Sequence, residues 1–166
     1  MSAQQVKDLS ETTRNKLRQA IEMAEEFLNE HALGQLCSNQ DPDEREFYEG
    51  FLSDLRHLLV FSEVNYEKLG INLRRPTFNV EQAERQLYET YYQSVNNFYY
   101  PKNESYSEEG RYAYTGQDAI KFRKKPNKEA RNIVFKLSKI FEEMREDLSY
   151  YETEYAMQRR LQGERV

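Results

Sequence analysis

The apolar residues of this chain recur every three or four positions over four long stretches, and this helical period limits the fold more than any other feature. In the first stretch, from Val6 to Ala32, charged side chains fill the opposite face. We expect a helix that ends at Gly34, because glycine readily adopts the left-handed conformation that commonly terminates helices. Its stripe consists of Leu9, Thr13, Leu17, Ala20, Ile21, Ala24, Phe27 and Leu28.

The second stretch opens with the sequence DPDE, which is typical of a helix start. Asp41 can accept hydrogen bonds from the free amides of the first turn, and Pro42 suits the first helical position, where its missing N–H costs nothing. We expect this helix to run to Gly70. Its stripe consists of Phe47, Phe51, Leu52, Leu55, Leu58, Leu59, Ser62, Tyr66 and Leu69.

Two further helices are predicted in the second half of the chain. One begins after Asn79, which forms a capping pair with Gln82, and it stops before Pro101. The other begins near Asn127 and continues beyond Tyr150, whereas the polar residues from about 157 to 166 are expected to fray. The last stripe is the longest and consists of Ala130, Ile133, Val134, Leu137, Ile140, Phe141, Met144, Leu148, Tyr151 and Tyr155.

Residues 98–127, between these two helices, keep no helical period. The segments RYAYT (111–115) and AIKFR (119–123) alternate in the manner of strands and flank a GQD sequence. We therefore predict a small β-hairpin that turns at Gly116 and Gln117. Because an isolated hairpin is marginal in water, this one is expected to lie on the helices.

These elements predict a mainly α fold, a four-helix bundle with a small β-hairpin insertion before the last helix. A length of 166 residues suits one domain covering residues 1–166. There is no apolar run of the roughly 20 residues needed to cross a bilayer and no apolar leader, so we expect a cytoplasmic protein that does not contact membranes. The single cysteine, Cys37, cannot form an internal disulfide.

The sequence offers little for catalysis. Glycines are scattered singly, so no phosphate-binding loop can be built, and no Gly-x-Ser-x-Gly motif is present. His31 is interpreted as a helix-end histidine. Asp54 and His57 stand one helical turn apart and could share a metal, but a di-metal bundle normally takes two Glu-x-x-His motifs and further glutamates. We expect no enzyme and no cofactor, with a metal-binding bundle that uses Asp54 and His57 as an alternative.

The insertion is the candidate binding surface, because aromatic residues precede a cluster of cations. Residues 111–131 carry seven basic and two acidic side chains in a chain whose net charge is −5. Aromatic faces beside cations suit single-stranded nucleic acid or another anionic ligand. The candidate residues are Tyr99, Tyr100, Tyr106, Tyr112, Tyr114, Lys121, Arg123, Lys124, Lys125 and Lys128.

The same composition has two other interpretations. Tyrosine rings can cover a thin helical core as a lid while the hydroxyl stays hydrated, and lysines on an edge strand prevent unwanted pairing. The surface can also bind a partner protein or a second copy of the chain. We expect a small binding or structural module that acts through protein–protein interaction, with anionic-ligand or nucleic-acid binding as the alternative.

The chain resembles an uncharacterised protein family of the bacilli, the YpuI type. The resemblance is carried by the four helices and by two segments, YYPKNESYSEEGRYAYTGQDAIKFRKKP at 99–126 and FLSDLRHLLVFSE at 51–63. The resemblance extends over nearly the whole chain and rests on aromatic and basic positions. It implies a bacterial, cytoplasmic setting. Since the function of that family is unknown, it assigns no role to any residue.

Overall fold

The fold is mainly helical, with one small antiparallel strand pair, in a computed structural model that describes residues 1–37, 41–108 and 120–165. None of the described helices combines the length and the apolar character needed to cross a membrane. The helices are α1 (Ala3–Glu30), α2 (Leu33–Leu36), α3 (Pro42–Leu73), α4 (Val80–Thr90), a π-helical segment (Tyr91–Val95), α5 (Asn96–Tyr99), α6 (Lys128–Asp147), α7 (Ser149–Glu152) and α8 (Glu154–Leu161). The strands are β1 (Tyr106–Glu108) and β2 (Ile120–Phe122).

Residues at both ends of helix α1 determine where it starts and ends. Ser2 and Gln5 form a reciprocal capping box at its start. Its end is His31, whose backbone is extended and whose ring stacks on Phe27 with the centroids 4.3 Å apart, so the helix-end interpretation of His31 is confirmed. The predicted role of Gly34 is wrong. Gly34 lies inside α2 without a positive φ, because the chain leaves the helix three residues earlier.

Helix α3 starts as predicted but runs further. Asp41 Oδ1 accepts the Asp43 N–H at 3.1 Å, with Pro42 in the first turn. The predicted end at Gly70 is wrong, because α3 continues through Gly70 to Leu73. A Cβ at Gly70 would lie 2.9 Å from Nε of Arg14. The glycine therefore allows the close approach of an α1 side chain and does not terminate the helix.

The later helices also begin at the predicted caps. Asn79 Oδ1 accepts the Gln82 N–H at 3.0 Å, and Asn127 Oδ1 accepts the Ala130 N–H at 2.9 Å. The helical path from Val80 ends at Tyr99, just before Pro101, as expected, although it includes the π-helical segment. The prediction of one continuous last helix is wrong. Helix α6 ends at Asp147, and α7 and α8 follow, so that Leu161 of the predicted frayed tail is still helical.

The long helices pack as antiparallel neighbours. The end of α1 contacts the start of α3 through Phe27 and Phe51, whose centroids are 6.1 Å apart. Farther back along α1, Arg14 Nη2 donates to the hydroxyl of Tyr66 at 3.0 Å. In the same way Lys16 of α1 meets Asp147 at the end of α6, with 2.6 Å between Nζ and Oδ2. Phe27 near the end of α1 and Ile133 near the start of α6 also line one cleft. Helix α1 therefore runs opposite to both α3 and α6.

The pair α3 and α4 is also antiparallel. Near the turn between them, Asn72 Nδ2 donates to the Asn79 carbonyl at 2.9 Å. Farther from the turn, Lys68 Nζ of α3 lies 2.8 Å from Oε2 of Glu89 near the end of α4. Helices α3 and α4 therefore run antiparallel across the short connection between them.

The predicted hairpin is present before the last long helix. Strands β1 and β2 are antiparallel, with Tyr106 opposite Phe122 and Glu108 opposite Ile120. Strand β2 lies within the predicted segment 119–123. Strand β1 lies upstream of the predicted strand 111–115, which falls, with the predicted turn at Gly116 and Gln117, outside the described residues.

Candidate functional site

A carboxylate of α3 fixes the loop that leads into the hairpin. Asp54 is only 5 % exposed. Its Oδ1 accepts the backbone N–H of Asn103 at 2.9 Å and the side-chain Nδ2 at 2.8 Å, and its Oδ2 accepts the hydroxyl of Ser105. Charge-assisted hydrogen bonds of this kind are stronger than neutral ones. Asp54 therefore fastens residues 103–105 to α3.

A second anchor joins β1 to α6. Nη1 of Arg145 lies 2.5 Å from Oε2 of Glu108, and both side chains are 9 % exposed. The guanidinium also lies over the ring of Tyr99, 4.2 Å from its centroid. Burial alone would lower the pKa of Arg145, but the hydrogen bond and the charge of Glu108 raise it above its ordinary value. The ion pair therefore favours the charged form of Arg145, although the guanidinium is buried.

The tyrosines at the start of the insertion are mostly structural. Tyr106 is buried between Phe98, at a centroid distance of 5.6 Å, and Phe122, at 5.9 Å. Tyr99 is buried beneath Arg145, and burial raises the pKa of both phenols. These two rings complete the core and cannot stack on a ligand.

The remaining candidate tyrosines are placed differently. Tyr100 is 64 % exposed. Tyr112 and Tyr114 lie outside the described residues. Of the predicted aromatic surface, the described part of the chain therefore presents only the Tyr100 ring to solvent.

The basic side chains follow β2 as a ridge, which we define as Arg123, Lys124, Lys125 and Lys128. Lys124 is half-buried and the other three are exposed. Within residues 1–37, 41–108 and 120–165, none of the four forms an ion pair with a carboxylate. The candidate Lys121 is also exposed, but it has a partner and is not counted in the ridge. Among the described residues, the ridge is thus a group of cations without ion-pair partners on a protein whose net charge is −5.

Beside the ridge lies a cleft of about 290 Å³ between α3 and the base of the hairpin. Arg123 lines it from the hairpin side, and Glu46 and Ser53 line it from α3. Asn103 and Ser105, the residues held by Asp54, also line it. The cleft therefore has both charges on its walls and depends on the Asp54 anchor for its shape.

The alternative metal pair gains no support from this geometry. The carboxylate of Asp54 is engaged by Asn103 and Ser105. His57 is exposed, and its Nδ1 lies 3.1 Å from the carbonyl oxygen of Ser53. The described residues contain no group of three or more His, Cys, Asp or Glu side chains arranged to hold a metal ion.

Of the residues that shape this site, sequence reasoning missed two. Glu108 and Arg145 were not singled out, because they lie 37 positions apart and no local motif joins them. Asp54 was noticed only as the neighbour of His57. The signal that was available for Asp54 was its position on the apolar face of α3, between Phe51 and Leu55, where a carboxylate needs hydrogen-bond donors.

By its sequence, the chain matches a protein family without an established function. Residues 10–157 match the family described as "Protein of unknown function (DUF3907)", and the chain belongs to this family. It is 31 % identical over 147 residues to "Uncharacterized protein YpuI" of Bacillus subtilis (strain 168), and the match covers 89 % of this chain and 82 % of that protein. The resemblance to the YpuI type is thereby confirmed. No solved structure matches the chain.

Proposed function

We propose that this protein is a non-catalytic binding module that uses the basic ridge to hold an acidic segment of a partner protein. The helices α1, α3, α4 and α6 form a four-helix bundle that serves as the support, and the hairpin presents the ridge at its side. The observation that carries the proposal is the absence of ion pairs at Arg123, Lys124, Lys125 and Lys128 in the described part of the chain. Unpaired cations retain their full attraction for an external anion.

A protein partner is favoured over nucleic acid for two reasons. Tyr99 and Tyr106 are buried, so the described residues lack the row of stacking rings that single strands require. The net charge of −5 also repels a long polyanion once it extends past the ridge. A short acidic segment contacts the ridge without meeting that repulsion.

The test uses a fluorescent peptide of ten glutamates and a thymidine 20-mer as probes. Lys124→Glu with Lys125→Glu reverses two charges of the ridge and should weaken peptide binding by about tenfold or more. The matched control is Lys136→Glu with Lys139→Glu, which makes the same charge change at exposed positions farther along α6. The control should change the Kd by less than about threefold, and added salt should weaken binding by the wild type.

Two results would contradict the proposal. Equal losses in both double variants would mean that only the net charge matters. Tighter, ridge-dependent binding of the thymidine 20-mer than of the peptide would assign the ridge to single-stranded nucleic acid instead.

A further inference from the structure

The cleft beside the ridge carries two opposite charges that do not neutralise each other. Arg123 and Glu46 both line it, and neither forms an ion pair within the described residues. Glu49, which also lines the cleft, differs because its Oε1 lies 3.2 Å from Nε of Arg45. A gap between an unpaired cation and an unpaired carboxylate suits a ligand that supplies both missing counterparts.

The walls of the cleft are fixed before any ligand arrives. Asp54 holds Asn103 through two hydrogen bonds, and the Arg123 N–H donates to the carbonyl of Ser105 at 3.0 Å. Asn103 is packed directly over Gly50, since a Cβ there would lie 3.2 Å from the Asn103 Cβ. Walls of this kind lose little conformational freedom on binding, which favours specific recognition.

We propose that the cleft recognises one basic side chain within the acidic segment of the partner protein. Glu46 binds the cation of a lysine or arginine in that segment, and Arg123 binds the carboxylate of its acidic neighbour. The hydroxyl of Ser53 supplies a further hydrogen-bonding group on the α3 wall. This inference rests on the proposed function and adds a sequence preference to it, namely an acidic segment interrupted by one basic residue.

The ridge and the cleft predict opposite orders of affinity for two probes. One is a nine-residue peptide of glutamates with a central lysine, and the other has glutamine in place of that lysine and is therefore more acidic. A ridge acting alone would bind the more acidic peptide more tightly. With the cleft engaged, wild-type protein should bind the lysine peptide more tightly by about fivefold.

Variants separate the inference from the function on which it rests. Glu46→Gln should abolish or reverse the preference for lysine, whereas Glu63→Gln, an exposed change on the same helix, should leave it intact. Lys124→Glu with Lys125→Glu should weaken the binding of both peptides by the same factor and leave the ratio of their Kd values unchanged.

The outcomes are distinct. The proposed role of the cleft is overturned if the wild type binds the glutamine peptide more tightly, or if Glu46→Gln leaves the ratio of the two Kd values unchanged. In both cases the ridge can still bind acidic peptides. If Lys124→Glu with Lys125→Glu does not weaken the binding of either peptide, the proposed function itself is overturned. Binding of free lysine as tight as that of the lysine peptide would make the cleft a small-molecule site and would also overturn the inference.

Discussion

At the scale of single residues, Asp54 shows how one buried carboxylate determines the position of a distant segment. Its two oxygens take donors from Asn103 and Ser105, which lie 49 and 51 positions away. A buried carboxylate is tolerated only when such donors are present, and each donor in turn loses its partner if the carboxylate is removed. The stability of the insertion and that of α3 are therefore coupled through this side chain.

We expect Asp54→Ala to lower the free energy of unfolding by about 3 kcal/mol, because the donors of Asn103 and Ser105 are left without an acceptor. Urea unfolding followed by circular dichroism measures the change. His57→Ala is the matched control on the same helix and should change stability by less than about 0.5 kcal/mol, since His57 is exposed. A stoichiometric metal in the purified protein that both substitutions remove would show instead that the two residues share an ion.

At the scale of elements, replacing a helical glycine by alanine changes stability in opposite directions according to what lies beside the glycine. Gly70 is buried under the side chain of Arg14, which a hydrogen bond and a cation–π contact hold on Tyr66. Gly34 lies in α2, and beyond its chain neighbours and the backbone of its own helix no described atom lies within 4 Å of the Cβ position. The sequence presents both as a glycine that follows a helical stripe, so it could not distinguish them.

We expect Gly70→Ala to destabilise the protein by about 1 kcal/mol, because the new methyl group would lie 2.9 Å from Nε of Arg14 and 3.1 Å from Nη1 of Arg74, so that both guanidinium groups must shift. Gly34→Ala should stabilise it by about 0.5–1 kcal/mol, because alanine loses less backbone entropy in a helix. Thermal unfolding of both variants beside the wild type measures the two signs. If Gly70→Ala were as stabilising as Gly34→Ala, the guanidinium groups beside Gly70 would move aside at no cost, and the close contact would not be the reason for a glycine at this position.

The same contrast explains how far the sequence predicted the fold. Helix starts were predicted well, because the caps Asp41, Asn79 and Asn127 act on amides two or three residues away. Helix ends were predicted poorly, because Gly70 depends on a residue of another helix. The candidate site divides similarly. The ridge is a run of neighbours in sequence, whereas its lack of ion pairs among the described residues depends on where the carboxylates of distant elements lie.

At the scale of the whole molecule, buried tyrosines from the π-helical segment, the insertion and α7 share the core. Burial raises the pKa of four of them, Tyr91, Tyr99, Tyr106 and Tyr151, and that of Tyr91 reaches about 12. Each phenol ionises with a pKa of about 10 in the unfolded chain but at higher pH in the folded one. Their contribution to stability is therefore complete below pH 10 and is lost as the pH rises through the folded pKa.

We expect the free energy of unfolding to fall above pH 10 by about 1.4 kcal/mol per pH unit for each tyrosine that is ionised only in the unfolded state. Urea unfolding at a series of pH values between 9 and about 12 measures the slope, and the upper limit follows the pKa of Tyr91. Tyr106→Phe should make the slope shallower, whereas Tyr100→Phe at a 64 % exposed position should not. Identical slopes in both variants would show that the Tyr106 ring is accessible to water.

The ion pair of Glu108 with Arg145 has a consequence for how this family can diversify. Glu108 lies opposite Ile120 in the strand pair and is also joined to α6, and both side chains of the ion pair are only 9 % exposed. Removing one member of a buried ion pair is strongly destabilising, because the other charge is left without a partner, whereas replacing both members by apolar residues is often tolerated. We therefore expect relatives that lack one of these two residues to lack the other as well, so that positions 108 and 145 change together during evolution.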